Sequence, residues 1–315
     1  MKYGILCYKT NNVGDEIQSI AAKNFLPKID FYLDRENLDK VKNNQKIKLI
    51  MNGWFMHNPK NWPPSDSIIP LFISFHIYAK GLTSKESLAY FKKHEPIGCR
   101  DIFTYKLLKK KGVKSYFSGC LTLTLRNKYK KRNDKILLVD VSPDIKKIIP
   151  KKFKRQIICL SFYNFPNFIL KLRTFFSRFK KSDLGGFRLI YLLLRELKID
   201  PFLEGVFSKI ITRKTKFRKA EMLLDEFAKA RLVITSRMHC ALPCLAFGTP
   251  VIFISENLED KRFLGYLKFL RHYSLKDLRN KKLNINFDNP PPNPKDVGYI
   301  RKKLIKICRR FIKSP

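Results

Sequence analysis

The 315-residue sequence predicts an α/β protein built as two parallel-sheet domains facing a cleft. Three observations predict it. Short apolar or β-branched runs alternate with amphipathic stretches, the pattern of parallel strands joined by crossover helices. A polar, charged stretch after Leu125, RNKYKKRND, interrupts the alternation, which then resumes. The length suits two domains of roughly 100–200 residues each.

The first apolar run covers 3–8 and is followed by the polar turn TNNVGDE and a helical pattern over 16–25. Strands are expected at 47–51, 71–76 and 96–99. Between the last two, LTSKESLAYFKK offers Thr83 or Ser84 as N-cap, Glu86 as a first-turn acid, and Leu88, Tyr90 and Phe91 as an apolar face. Asp101 stands at the N-cap of IFTYKLLKKK, a helix expected to stop at Gly112. Beyond the linker, strands are expected at 136–141, 156–161, 207–211, 231–235 and 251–254. Helices are expected at 167–198, 217–230 and 239–247. DNPPPNP, 288–294, is a stiff extended connector, and 295–313 is a basic amphipathic helix. The boundaries divide the chain into 1–127, 128–287 and 288–315.

Composition excludes several classes. With 44% apolar residues and 13% aromatic ones, the chain is not collagen, coiled coil or low-complexity sequence. The cysteines are odd in number, seven, and contain no CxxC pair, so neither a disulfide framework nor a zinc site is indicated. The five histidines form no HExxH pattern and no metal-ligand cluster, so no metal is expected. No run approaches the roughly 18 apolar residues of a membrane span, and the N-terminus lacks a signal-peptide core. A soluble, reduced, cytoplasmic protein is expected. The net charge of +39, from 65 Lys and Arg against 26 Asp and Glu, predicts attraction to something anionic without choosing among nucleic acid, membrane and phosphorylated substrates. Much of it is Lys scattered along the chain, which a solvated surface also explains.

The most informative segment is RLVITSRMHCALPCLAFGTPVIFI, 231–254. A buried-type strand ends at Thr235, and Ser236, Arg237 and His239 occupy the turn into an apolar helix closed by Gly248. Open α/β sheets bind ligands at this location, and a helix N-terminus there favours an anion. Arg237 supplies a planar fork for phosphate or carboxylate, and His239 titrates near neutrality, which makes it the candidate general acid. In EPIGCRDIFTYKLLKKKG, 95–112, Arg100 ends a strand and would project toward the same cleft, while Asp101 is explained by capping. The turn NNVGDE, 11–16, is neither GxGxxG nor a phosphate loop. Its candidate contacts are Asn12, Gly14, Asp15 and Glu16. The two acids suit hydroxyl binding or proton abstraction, and ordinary helix electrostatics explains them equally well.

NNVGDEIQSIAA, IGCRDIFTYKLL with the later SGCLTLTL, and above all VITSRMHCALPCLAFGTPVIFI resemble the polysaccharide pyruvyl transferase family. The resemblance spans 11–254 and is most specific in the SRMH block. It implies two Rossmann-like domains with a GT-B-like architecture, an acceptor side in 1–127 and a donor side in 128–287. It also implies transfer of a pyruvyl group from phosphoenolpyruvate to two hydroxyls of a sugar, with no cofactor besides that donor. Arg237 and His239 match the family's donor-binding Arg and His, and Arg100 matches the Arg of its RD motif. The implied acceptor is a surface polysaccharide or a lipid-linked glycan precursor. The aromatic, basic stretch 161–181, with Phe176 and Phe179, departs from the family pattern and would suit peripheral contact with an anionic inner membrane face. In NGWFMHNPKNW, 52–62, Trp54 or Trp62 could stack on a sugar from a cleft-side loop.

Two other functions fit parts of the sequence. A glycosyltransferase of the same architecture would place a nucleotide-sugar diphosphate on the Arg at the helix N-terminus. A nucleic-acid-binding protein would explain the charge, but no zinc finger, RNP1 block or helix-turn-helix is present, so specific nucleic-acid binding is not expected.

Overall fold

The structure, a computed structural model, describes residues 1–10, 12–78, 80–163, 212–280 and 285–314. The helix expected at 167–198, the strand expected at 207–211 and nearly all of the aromatic, basic stretch 161–181 lie outside the described residues.

Two parallel sheets carry the fold. The first contains β1 (Lys2–Cys7), β2 (Phe31–Asp34), β3 (Ile47–Phe55), β4 (Ile68–Ile77), β5 (Ile97–Cys99) and β6 (Ser115–Phe117), in the order β2-β1-β3-β4-β5-β6. The second contains β7 (Ile136–Val139), β8 (Ile157–Leu160), β9 (Leu232–Thr235), β10 (Val251–Ser255) and β11 (Arg271–Ser274), in the order β11-β10-β9-β7-β8. Both sheets follow one plan. Each has its second strand on one side of the first and its third, fourth and fifth on the other. The direction reverses between β1 and β3 and again between β7 and β9, and such a reversal opens a crevice beyond the carboxyl ends of the strands. The result is a two-domain, Rossmann-like α/β fold.

Among the described residues the α-helices are α1 (Gly14–Lys23), α2 (Lys85–Lys93), α3 (Ile102–Lys110), α4 (Ile145–Ile148), α5 (Arg213–Lys229), α6 (Met238–Phe247), α7 (Leu275–Arg279) and α8 (Gly298–Lys313). Local chemistry sets their ends. Ser84 caps α2 by accepting from the Ser87 N–H, and Asp101 caps α3 by accepting from the Thr104 N–H at 2.9 Å. Gly248 stops α6 in the left-handed conformation, φ +68°, where a side chain would be strained.

The structure departs from the expected elements at several places. The segment expected as a cleft-side loop begins as strand: β3 runs on to Phe55 because β4 also continues, pairing Gly53, Trp54 and Phe55 with Phe75, His76 and Ile77. Trp62 is buried in an aromatic core with Phe55, Phe72, Phe75 and Phe91, so it is not available to a sugar. The strand expected to reach 141 stops at Val139, since Asp140 turns left-handed at φ +49°. Three strands the sequence did not announce, β2, β6 and β11, all lie at sheet edges.

A shared core joins the two sheets. Val13, Ile17, Ile20 and Ala21 of the α1 region pack with Leu223 and Phe227 of α5, with Cys240 and Cys244 of α6, and with Leu304 and Cys308 of α8. Cys240 and Cys244 are free, buried thiols. Helix α8 returns to the first sheet, where Lys48 of β3 donates to the carbonyls of Phe311 (3.0 Å) and Ser314. Arg301 donates to the carbonyl of Leu123 at 2.9 Å.

Candidate active site

Strand ends from both sheets meet around a cavity of about 330 Å³, within the range of about 300–1,000 Å³ usual for small-molecule sites. Thr10, Asn12 and Asp15 follow β1, Arg35 follows β2, Trp54 and His57 mark the end of β3, and Arg100 follows β5. From the second sheet come Phe162 after β8, Ser236 to His239 after β9, and Arg262, Phe263 and Tyr266 after β10.

The turn after β9 is held at each residue. Thr235 Oγ1 accepts from the Arg237 N–H at 2.9 Å, and Ser236 Oγ donates to the Asp140 carbonyl at 2.6 Å. Arg237 Nε donates to Asp140 Oδ2 at 2.9 Å, and its guanidinium lies 5.0 Å from the Tyr163 ring centre. Its terminal nitrogens carry no hydrogen bond from the described residues, so they remain for an anion. Helix α6 then opens with the backbone N–H groups of Met238 and His239 at its positive end.

Arg100 faces this turn from the first domain. It is 5% exposed and donates to Gln18 Oε1 at 3.2 Å, with Asp101 Oδ2 3.9 Å from its Nε. Asp101 is committed elsewhere, to the α3 cap and to His76, whose Nδ1 lies 2.5 Å from Oδ2. Burial pushes the Asp101 carboxyl up, but the hydrogen bond and charge of His76 and the charge of Arg100 outweigh it and hold the group below the usual carboxylate range.

His239 opens partly onto the cavity. Desolvation comes first, and then the charges of Arg100, Arg262, Arg237 and His76, in pushing its pKa well below the usual near-neutral value. This environment favours the neutral imidazole.

The other candidates separate. Asn12 and Asp15 line the cavity. Gly14 does not line it but packs against residues that do: a Cβ there would stand 3.1 Å from His239 Nδ1, 3.1 Å from Asn12 Oδ1 and 3.2 Å from Phe162. Glu16 is not brought to the cavity. It lies 1% exposed and faces α5, its Oε1 2.5 Å from Lys216 Nζ. Of the two tryptophans, Trp54 alone reaches the site, with the His57 ring at 4.4 Å, Tyr78 at 4.5 Å and Arg35 at 4.8 Å.

A family model described as polysaccharide pyruvyl transferase matches residues 12–257. The chain belongs to the polysaccharide pyruvyl transferase family. It is accordingly a transferase enzyme. No curated protein matches the sequence. The family span runs from Asn12, two residues before α1, to just past β10 and includes Arg100 and the SRMH turn. Arg262 and α8 lie beyond it.

Two cavity residues, Arg35 and Arg262, and one residue that holds the cavity's Arg237, Asp140, escaped the reading of the sequence. Arg35 is 1% exposed, clasped between the Tyr8 and Trp54 rings, and bonded to Glu36 (2.8 Å) and Asp15 (3.5 Å). Its signal, an Arg directly after a strand, was hidden because FYLD did not read as a strand. Asp140 closes the apolar run ILLV, and an acid at a strand end was the available signal. Arg262, chelated by Asp260 at 2.6–3.1 Å, sits in a charged loop with no pattern to mark it.

Among the described residues no helix is long and apolar enough to cross a membrane, and no three His, Cys, Asp or Glu gather as a metal site.

Proposed function

We propose that this enzyme moves the pyruvyl group of phosphoenolpyruvate onto two hydroxyls of one sugar residue, closing a cyclic ketal and releasing phosphate, with no separate cofactor. The observation that carries the proposal is one cavity flanked by Arg237 and the α6 N-terminus on one side and Arg100 on the other, with His239 at its wall. Phosphoenolpyruvate has two anionic groups, a carboxylate and a phosphate, and two cationic clamps suit it.

The donor's C3 takes a proton and becomes a methyl group, while C2, now oxocarbenium-like, bonds to a sugar hydroxyl oxygen. The second hydroxyl oxygen then bonds to C2 as the C2–O bond to phosphate breaks. Of the two hydroxyl protons, one balances the new methyl C–H and the other leaves with phosphate. His239 delivers the first proton. It must therefore become imidazolium, and the donor's negative charges, set against Arg237 and Arg100, supply the field that raises its pKa. Asp15, on the cavity wall 3.1 Å from Gln18 Nε2, is the hydroxyl's base. Trp54 and Tyr78 form the sugar-facing shelf.

The convergence of both sheets' carboxyl ends supports a GT-B-like arrangement, with 1–127 as acceptor side, 128–287 as donor side, and 288–315 as connector and C-terminal helix. The acceptor is a surface glycan or its lipid-linked precursor. A net charge of +39 supports work on the cytoplasmic side, in peripheral contact with an anionic membrane. Co-sedimentation with anionic liposomes that vanishes on neutral ones is the expected result for that contact.

The decisive assay is phosphate release from phosphoenolpyruvate with and without a glycan panel. Release that needs an acceptor and disappears in Arg237→Ala is expected. No release and no thermal shift from phosphoenolpyruvate, with a clear shift from a nucleotide sugar, would overturn the donor assignment.

A further inference from the structure

Asp140 combines an unusual backbone with an unusual position. It is one of two non-glycine residues with positive φ among the described residues, at +49°. That region is unfavourable for an ordinary L-residue and is tolerated best by Asn and Asp. Strain of this kind persists where the surroundings fix it. Here the residue lies beyond the end of β7, at the point where the second sheet reverses direction. Its N–H donates to the Leu160 carbonyl at 3.2 Å, and its Oδ2 accepts from the Phe162 N–H at 3.2 Å, both at the exit of β8. Its carbonyl accepts from Ser236 Oγ at 2.6 Å and its Oδ2 from Arg237 Nε at 2.9 Å, both at the exit of β9. One residue therefore ties three strand ends together at the turn that carries Ser236, Arg237 and His239.

We propose that Asp140 is a positioning residue, whose left-handed backbone and carboxylate hold Ser236 and Arg237 so that the free end of the guanidinium is already aimed at the donor's anion. The proposal rests on the donor reading above. Electrostatics alone argues the other way, because a carboxylate beside an anion site repels the ligand. Its presence is favourable only if fixing the guanidinium gains more than the repulsion loses. Held through Nε and flanked by the Tyr163 ring, Arg237 has little rotamer freedom left to lose on binding.

The opposed signs make the test sharp. Asp140→Gly accepts φ +49° and deletes the carboxylate, while Asp140→Asn keeps an acceptor and the left-handed tolerance but removes the charge. Positioning predicts that Asp140→Gly weakens phosphoenolpyruvate binding by about tenfold or more. Asp140→Asn should stay within a few-fold of wild type, and Asp140→Gly should have no further effect in an Arg237→Ala background. Binding as tight as wild type or tighter in Asp140→Gly would overturn the proposal and leave Asp140 as an opposing charge.

A second readout needs no donor. The Arg237 Nε–H resonance in ¹⁵N spectra of the free protein should be protected from exchange in wild type and Asp140→Asn and lost in Asp140→Gly. Should wild type ignore phosphoenolpyruvate, the donor reading fails by itself. Loss of the resonance in Asp140→Gly would still support the positioning role, and its survival would overturn it.

Discussion

His239 shows how a single residue's chemistry is set by what lies around it. Burial and three guanidinium groups oppose its proton, so the free enzyme holds it neutral at pH 7. A donor bringing a carboxylate and a phosphate reverses that field. NMR titration of the imidazole is therefore expected to give a pKa below the usual near-neutral value in the free protein and a higher one with saturating phosphoenolpyruvate. Under saturation kcat should fall as pH rises through the raised value, and that limb should vanish in His239→Gln. A pKa unmoved by the donor would remove the acid role. Gly14 bears on the same ring: a Cβ at 3.1 Å from Nδ1 must displace it, because Phe162 and Asn12 close the other directions. Gly14→Ala should lower kcat by about tenfold or more, since small misplacements of catalytic groups are amplified in rate. Its unfolding temperature should change little, since Ala suits a helix better than Gly. Full activity in that variant would show that the ring is free to move.

Strands were legible from the sequence where they form an apolar run. The strands β7, β9 and β10 sit inside the second sheet and read as apolar runs, as parallel strands covered on both faces do. The strands β2, β6 and β11 sit at edges, have three or four residues each, and include half-exposed positions, so FYLD, SYF and RHYS carry no apolar run. That is also why Arg35 was missed, whereas Arg100 and Arg237, each beyond a readable strand, were found. Asp140 was missed for another reason: its partners are some 20 and 100 residues away, and only folding brings them together. The C-terminal helix was legible as amphipathic, but its anchor was not. Lys48, 1% exposed near the start of the apolar strand β3, donates to the Phe311 and Ser314 carbonyls at the end of α8, where a cation also meets the negative end of the helix dipole. Lys48→Met keeps the aliphatic stem and removes the donor. It should destabilise the protein by about 1–3 kcal/mol in urea unfolding and expose the last turn of α8 to protease. An unchanged urea midpoint with an intact last turn would show that the anchor contributes nothing.

At the scale of the whole molecule, the cleft between the sheets is open at the strand ends and closed behind them, where α1 lies against α5 and α6 in a shared apolar core. Into that core the chain places one ion pair, Glu16 with Lys216, both nearly unexposed. Lys216 also donates to the Tyr8 carbonyl at 2.6 Å, while Glu16 Oε2 has no hydrogen-bond partner among the described residues. Burial pushes the Glu16 carboxyl up to about 7, against the lowering effect of Lys216. Because the folded value lies above the ordinary 4.5, the folded state binds the extra proton between those values, and this group's contribution to stability falls as pH rises from about 4.5 to about 7. Removing the ammonium must sharpen that dependence. Lys216→Met leaves a buried carboxylate without its partner at pH 8, where the expected penalty is about 3–5 kcal/mol. At pH 5.5 the carboxyl is largely protonated in both proteins, so the penalty should fall to a small part of that value. Adding Glu16→Gln should recover most of the loss at pH 8, since no charge then remains in the core. Urea unfolding of the three proteins at the two pH values measures all of this. A penalty for Lys216→Met that is the same at pH 5.5 and pH 8 would mean that Glu16 stays ionised in the core, and that the two domains are held together by charge rather than by the apolar packing around it.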